Sequence, residues 1–265
     1  MRVLLWLVLS LCLLGIAHAQ NRSFVRTPEA TIHFVHETKF DAENSSVRVG
    51  FFFQLEPHWH IYWRNPGDSG LPPKVDWVNS QSYHFSDFDW PTPKRIRINI
   101  LANYGYDNEI LLPLTVTRKS KETPQIEANL SWLVCKEECI PRQANLLLDP
   151  TKTPSFNIDF DKGQAKSLKR WEWKSLKVNE QKLVANLMVG IPAQDIEINE
   201  IDFFPVESGI IKAFHPPSAK VLSSENGSSL LQMVFESALN DSNRKIDSFY
   251  GILKVSSSQS YKLQK

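Results

Sequence analysis

Alternation of apolar and polar residues with a period of two recurs along this chain in short runs, and turn residues punctuate it about every ten positions. Residues 31–36 alternate, 46–55 are rich in valine and phenylalanine, and 95–100 alternate strictly. Runs at 109–117 and 126–134 follow, with proline, glycine and asparagine clusters between them. This spacing predicts an all-β, antiparallel sandwich. A thioredoxin-like chain would need strands interleaved with long amphipathic helices, and that pattern is missing.

Pro150, Thr151, Lys152, Thr153, Pro154 and Ser155 read as a linker, because two prolines bracket small polar residues and no apolar period crosses them. Beyond it, 165–173 is expected to hold a short helix, and strand signals resume at 182–189, 195–204, 209–214, 230–235 and 249–255. Residues 223–229 and 256–260 read as polar loops, and the last residues are expected to fray. The expected organisation is a leader over 1–19, a β-sandwich over 20–150 and a second, smaller β-rich domain over 151–265.

The leader is expected because Arg2 precedes an apolar run over 3–16 and Ala17, His18 and Ala19 form a small-x-small cleavage pattern. The run is too short to span a bilayer, which takes about 20 residues. Cys12 falls inside it without the small residues that precede a lipidated cysteine. The mature chain is therefore expected to be exported, into a compartment that tolerates disulfides. Arg2 is one of 30 basic residues set against 29 acidic ones, a balance that gives no long-range attraction to nucleic acid or anionic lipid.

Two cysteines remain, Cys135 and Cys139, and a chain this long does not need them as staples. They flank Lys136, Glu137 and Glu138, between a strand-like run that carries Trp132 and the dipeptide Ile140-Pro141. If the insert is a hairpin turn, the two Cα atoms lie within the roughly 7 Å that a disulfide permits. Pro141 cannot donate to a ladder and so favours an edge strand. A disulfide that closes so short a loop constrains the unfolded chain little, which favours a chemical role over a structural one. Lys136 favours a thiolate while Glu137 and Glu138 oppose it, so the partner is expected to supply the activated thiol. Two other readings stay open. One is a passive disulfide with Trp132 packed on it. The other is Cu(I) ligation, for which His33, His36, His58, His60, His84 and His215 are available, with Met188 and Met233 as thioethers.

Trp59, Tyr62, Trp63, Trp77, Trp90 and Trp132 concentrate aromatic area in the first half, where core packing explains them more readily than a docking surface. Residues 65–70 carry glycines but lack a phosphate loop's lysine and helix, and read as a structured turn. His58 and His60 alternate and are expected on one strand face, as ordinary polar packing rather than metal ligands. Asn44-Ser45-Ser46 and Asn226-Gly227-Ser228 match the glycosylation pattern, which matters only in a eukaryotic route.

Three segments together resemble the N-terminal periplasmic domain of the DsbD thiol:disulfide interchange family, in particular its ScsB-like branch linked to copper tolerance. They are His58-Trp59-His60-Ile61-Tyr62-Trp63-Arg64-Asn65-Pro66-Gly67-Asp68-Ser69-Gly70-Leu71-Pro72, then Asn103-Tyr104-Gly105-Tyr106 with Leu111-Leu112-Pro113, then Trp132 to Pro141 with both cysteines. The resemblance covers about 28–150 strongly, with weaker echoes at Phe203-Phe204-Pro205 and Gly251-Ile252-Leu253. It implies an immunoglobulin-like fold in a bacterial periplasm. It also implies that the pair passes electrons from a thioredoxin-like or membrane-embedded thiol donor to a periplasmic substrate protein, without cofactor or metal. By position, Cys139 would form the mixed disulfide and Cys135 resolve it, while Asn103, Tyr104, Gly105 and Tyr106 match a loop that caps the pair. Better-known members place a phenylalanine where this chain has Asn103, so shielding is expected from Tyr104 or Tyr106. The family's membrane conduit is absent from a sequence that stops at Lys265, so the chain is expected either to borrow its electrons from a separate molecule or to have lost the relay role. The rival reading is a non-enzymatic interaction module with an inert disulfide. Oligomeric state is not written in the residues.

Overall fold

The computed structural model describes residues 23–41, 43–78, 80–154, 156–179, 181–239, 246 and 249–264; the expected leader and its cleavage site lie outside them. The first half contains β1 (Phe24–Arg26), β2 (Ala30–His36), β3 (Ser46–Leu55), β4 (His60–Gly67), β5 (Lys74–Trp77), β6 (Tyr83–Phe85), β7 (Lys94–Ile98), β8 (Leu101–Asp107), β9 (Glu109–Arg118), β10 (Ile126–Cys135) and β11 (Cys139–Leu148). One sheet runs β1-β2-β3-β9-β6 and the other β11-β10-β4-β8-β7, with β5 also paired to β10. All these pairings are antiparallel. The all-β antiparallel sandwich expected from the alternation is what forms, and it is consistent with the immunoglobulin-like fold that the resemblance implies.

Period-two patterning decides which face each strand buries. On β10, Ile126, Ala128, Leu130, Trp132 and Val134 point into the core shared with Phe34, Phe51, Phe53 and Trp63. Trp132 meets Phe53 edge-on at 6.1 Å, so it packs inside the sandwich. Each such buried aromatic contributes about 1.5–3 kcal/mol through removal from water. Ser131, Leu133 and Cys135 take the opposite, outer face.

The second half adds β12 (Lys166–Ser167), β13 (Trp171–Asn179), β14 (Lys182–Val189), β15 (Asp202–Pro205), β16 (Ser218–Glu225), β17 (Ser228–Glu236), β18 (Gly251–Lys254) and β19 (Ser260–Leu263). They form two further sheets, β12-β19-β18-β15 and β13-β14-β17-β16, over a core that includes Leu187, Phe203, Met233 and Phe249.

Several expectations for this half are corrected. Residues 165–173 form no helix. Nine residues are too few to hold a helix unaided, and Trp171 and Trp173 reach Tyr250 and Phe249 only from one face of a strand. The run at 195–204 is a strand only from Asp202. Before it, 3-10 turns at Ala193–Asp195 and Ile198–Glu200 bury Ile196 and Ile201. Residues 209–214 hold a single bridge, Ile211 to Ser237. The loop expected at 223–229 is the tip of the β16–β17 hairpin, where Asn226 and Gly227 have φ of 50° and 70°. Positive φ at both central residues is the tight hairpin geometry that an Asn-Gly pair encodes. The expected frayed end instead forms β19, with Leu263 fully buried.

The halves touch through apolar packing, in which Phe204 and Ile252 join the core of the first half, and through polar contacts. Arg95 on β7 grips Asp202 with two nitrogens at 2.6 and 3.2 Å, and Asn65 donates to the carbonyls of Pro205 and Glu207 at 2.8 and 3.2 Å. Within the first half, Arg142 on β11 makes a bidentate pair with the buried Glu29 at 2.6 and 3.1 Å. That pair joins the edge of one sheet to the start of the other. The Arg142 hydrogen bond holds the Glu29 carboxyl below its ordinary value of 4.5. A carboxylate depressed in the folded state stabilises fully above its unfolded value and loses that contribution as pH falls through the folded value. Glu29→Gln is therefore expected to lower the urea midpoint at pH 7 and to converge on the wild type only as pH falls through the depressed value of the Glu29 carboxyl. Parallel pH profiles would contradict this.

Candidate functional site

The β10–β11 ladder runs in unbroken register from Ile126 opposite Leu148 to Cys135 opposite Cys139. Lys136, Glu137 and Glu138 make the turn beyond, closed by the Lys136 N–H donating to the Glu138 carbonyl at 3.1 Å. Cys135 and Cys139 are joined as a disulfide, with Cα atoms 4.1 Å apart. Strand β11 is outermost in its sheet, where Pro141 costs no ladder bond with a further neighbour. Burial separates the two sulfur residues: Cys135 is 1% exposed, whereas Cys139 is exposed.

The outer face around Cys135 is assembled by register. Cys135 is paired with His60, which is paired on its other side with Asp107. Directly opposed residues of antiparallel strands share a face. Two positions on from His60, Tyr62 takes that same face, and its hydroxyl donates to Cys135 Sγ at 2.9 Å and lies 3.4 Å from Cys139 Sγ. Burial pushes the Tyr62 phenol above its ordinary value, so the hydroxyl keeps its proton. Gly105 stands opposite Tyr62 and presents no side chain.

A turn covers this patch. Gly70 lies against the Tyr62 ring with φ of 101°, and a Cβ there would fall inside the ring. The turn is pinned by Asn103, whose side-chain oxygen accepts from the Ser69 N–H at 3.2 Å and its hydroxyl at 3.0 Å, and by Asp68, which accepts from the Ala102 N–H at 2.9 Å. Residues 65–70 are thus a structured turn, as the sequence indicates.

Asn103, Tyr104, Gly105 and Tyr106 lie in strand β8 rather than in a loop. Alternation sends Tyr104 and Tyr106 into the core, where Tyr104 meets Trp63 and Phe204 edge-on and Tyr106 donates to the Pro91 carbonyl. Neither tyrosine shields the sulfurs. The ring that does is Tyr62, which sequence reasoning counted among aromatics of the core. Its separation of 73 residues from Cys135 gives no local signal of the contact. His58 is also corrected: with φ of 72° it belongs to the turn before β4 and does not share a strand face with His60.

The other histidines weighed as soft-metal ligands sit elsewhere. His33 packs among Phe24, Phe52 and Phe156, His36 contacts the Thr38 carbonyl, and His215 contacts Glu236. Among the described residues, no three or more histidine, cysteine, aspartate or glutamate side chains are grouped to hold a metal ion.

The family described as "Thiol:disulfide interchange protein DsbD, N-terminal" matches residues 30–151, which contain both cysteines and every side chain around them. Residues 30–151 are thus similar to a DsbD N-terminal domain. The resemblance drawn from the motifs is borne out, and the DsbD-type segment coincides with strands β2 to β11. Over a longer stretch the chain is similar in structure to the N-terminal periplasmic domain of ScsB from Proteus mirabilis. The match has a TM-score of 0.67 at 16% identity and covers 91% of this chain and 95% of that one. At that identity the likeness is one of fold, and it extends beyond the DsbD-type segment into the second half. No curated protein matches the sequence.

Proposed function

We propose that this chain relays reducing equivalents in the periplasm by thiol–disulfide exchange at Cys135–Cys139, between a thioredoxin-like or membrane-embedded thiol donor and substrate proteins. The observation that carries this reading is the asymmetry of the pair at an open sheet edge: one exposed cysteine, one buried beneath a tyrosine hydroxyl. A donor thiolate attacks the exposed Cys139 Sγ, the S–S bond breaks, and its electron pair leaves on Cys135 Sγ as a thiolate. The Tyr62 hydroxyl, already aimed at that sulfur, stabilises the departing charge. The donor's second thiol then releases Cys139 and leaves the donor oxidised and the pair reduced. Run in reverse on a substrate disulfide, the same steps deliver the two electrons and re-form Cys135–Cys139. Asn103 and Gly105 serve the cover indirectly, one by holding the turn over Tyr62 and the other by leaving it room.

In this reading the chain divides near 150–155 into an exchange domain and a second β-rich domain that braces it. Support for the division comes from strands β1 to β11 and β12 to β19 keeping to separate sheets. Export is supported by the leader-like residues 1–19, and the periplasm by the solved ScsB domain being described as periplasmic.

Tyr62→Phe tests the assignment of the buried sulfur as leaving group. A hydrogen bond to a charged group is worth about 1.5–3 kcal/mol. Reduction of the oxidised protein by a thioredoxin-like dithiol is expected to slow about tenfold or more in this variant, with little change in melting temperature. An unchanged rate would contradict the role of Tyr62. A wild-type disulfide that resists the dithiol altogether would favour an inert interaction module.

A further inference from the structure

His60 is 3% exposed, and its Nε2 has no hydrogen-bond partner among the described residues. Folded proteins seldom leave a buried polar atom unpaired without a use for it. Its place is specific. Cys139, Cys135, His60 and Asp107 form one row across β11, β10, β4 and β8, each directly opposite the next. Side chains so paired lie on one face with Cβ atoms about 4.5–5.5 Å apart. The imidazole therefore stands between the buried sulfur and a carboxylate, with its ring edge-on to Tyr62 at 5.3 Å between centroids.

Building on the exchange reading, we propose that His60 is the proton acceptor for the Cys135 thiol when the reduced pair discharges its electrons. Cys139 can ionise into water because it is exposed. Cys135 is sealed from water, and yet it must attack as a thiolate. In the resolving step the Cys135 proton passes to His60, and the Cys135 sulfur attacks Cys139 Sγ in the mixed disulfide. The bond between Cys139 and the substrate breaks, its electron pair leaves on the substrate thiolate, and Cys135–Cys139 is restored. The imidazolium then loses its proton through the open groove that His60 lines with His58, Trp59, Ile98, Asp107 and Lys136.

Charged groups meet His60 from every side of that groove. Asp107, ion-paired with Lys94, favours the imidazolium. Lys136 in the turn, Arg97 on β7 and His58 line the same groove. Burial is the largest influence and holds the ring below the ordinary imidazole value. The ring is thus neutral near pH 7 and free to accept.

The test follows the decay of a mixed disulfide between Cys139 and glutathione, made by mixing the reduced full chain with glutathione disulfide, across a range of pH. His60→Gln is expected to slow resolution about tenfold near neutral pH and to recover the wild-type rate above about pH 9, where the thiol ionises unaided. A merely structural role would lower the rate equally at every pH, and that parallel profile would overturn the proposal. Nuclear magnetic resonance titration of His60 in the wild type needs no variant. Only the reduced protein sets a thiol with a transferable proton beside the imidazole, so the His60 titration is expected to differ between the reduced and oxidised proteins, and identical titrations would overturn the proposal. Should the wild type fail to resolve the glutathione adduct at any pH, the exchange reading itself fails. Resolution with a His60-independent profile defeats only the inference about His60.

Discussion

Replacing Cys135 by alanine is expected to turn a transient mixed disulfide into an accumulating one. In that variant Cys139 keeps its exposed position and can attack a substrate disulfide, but no second sulfur sits across the ladder to release the substrate. Non-reducing electrophoresis of an exported Cys135→Ala chain should show adducts about tenfold or more above those of Cys139→Ala, whose remaining thiol is sealed beneath Tyr62. The contrast matters more than the adducts. Equal trapping by the two variants would mean that burial does not assign the roles, and stronger trapping by Cys139→Ala would invert them.

The second large effect concerns the contact that fastens the halves together. Arg95 and Asp202 have side chains 7% and 13% exposed, and the guanidinium also lies over the rings of Tyr104 and Phe204 at 5.1 and 5.8 Å. Its remaining nitrogen donates to the Ala213 carbonyl. Removing one member of such a buried pair strands the other charge, at a cost of about 3–5 kcal/mol. Asp202→Asn is expected to lower the melting temperature by roughly 8–15 °C in a chain of this size. A double replacement, Arg95→Met with Asp202→Leu, should cost much less than the two single changes summed, because no charge is then stranded. If the single variants melt within about 2 °C of the wild type, the halves are held by their apolar contacts instead.

Strands were legible wherever alternation was clean. Residues 46–55 and 182–189 coincide with β3 and β14, because each side chain there either enters a core or faces away from it. Reading failed where apolar residues are buried without a ladder. Ile196 and Ile201 satisfy their backbone through 3-10 turns, and 209–214 contributes one bridge. Asn226-Gly227 carried a strong hairpin signal that its polar neighbours obscured.

The disulfide at an edge hairpin was legible from Cys135, Cys139 and Pro141 because turn, pair and edge are local properties. Its surroundings were not. Whether Tyr62 or Tyr104 faces the sulfurs depends on cross-strand register, and a slip of one residue exchanges the two faces. Register is settled by the packing of Ile61 and Trp63 into a core built from distant strands. His60 was read as ordinary polar packing for the same reason: its neighbours Cys135 and Asp107 adjoin it only through the sheet.

The reduction potential of Cys135–Cys139, read by equilibration with glutathione, tests the exchange role most directly. A three-residue loop restrains the unfolded chain little, so oxidation adds little to folding stability. The expected potential lies above about −300 mV, within reach of biological dithiols. A value well below that, together with a large loss of stability on reduction, would mark a structural bond and contradict the proposed relay.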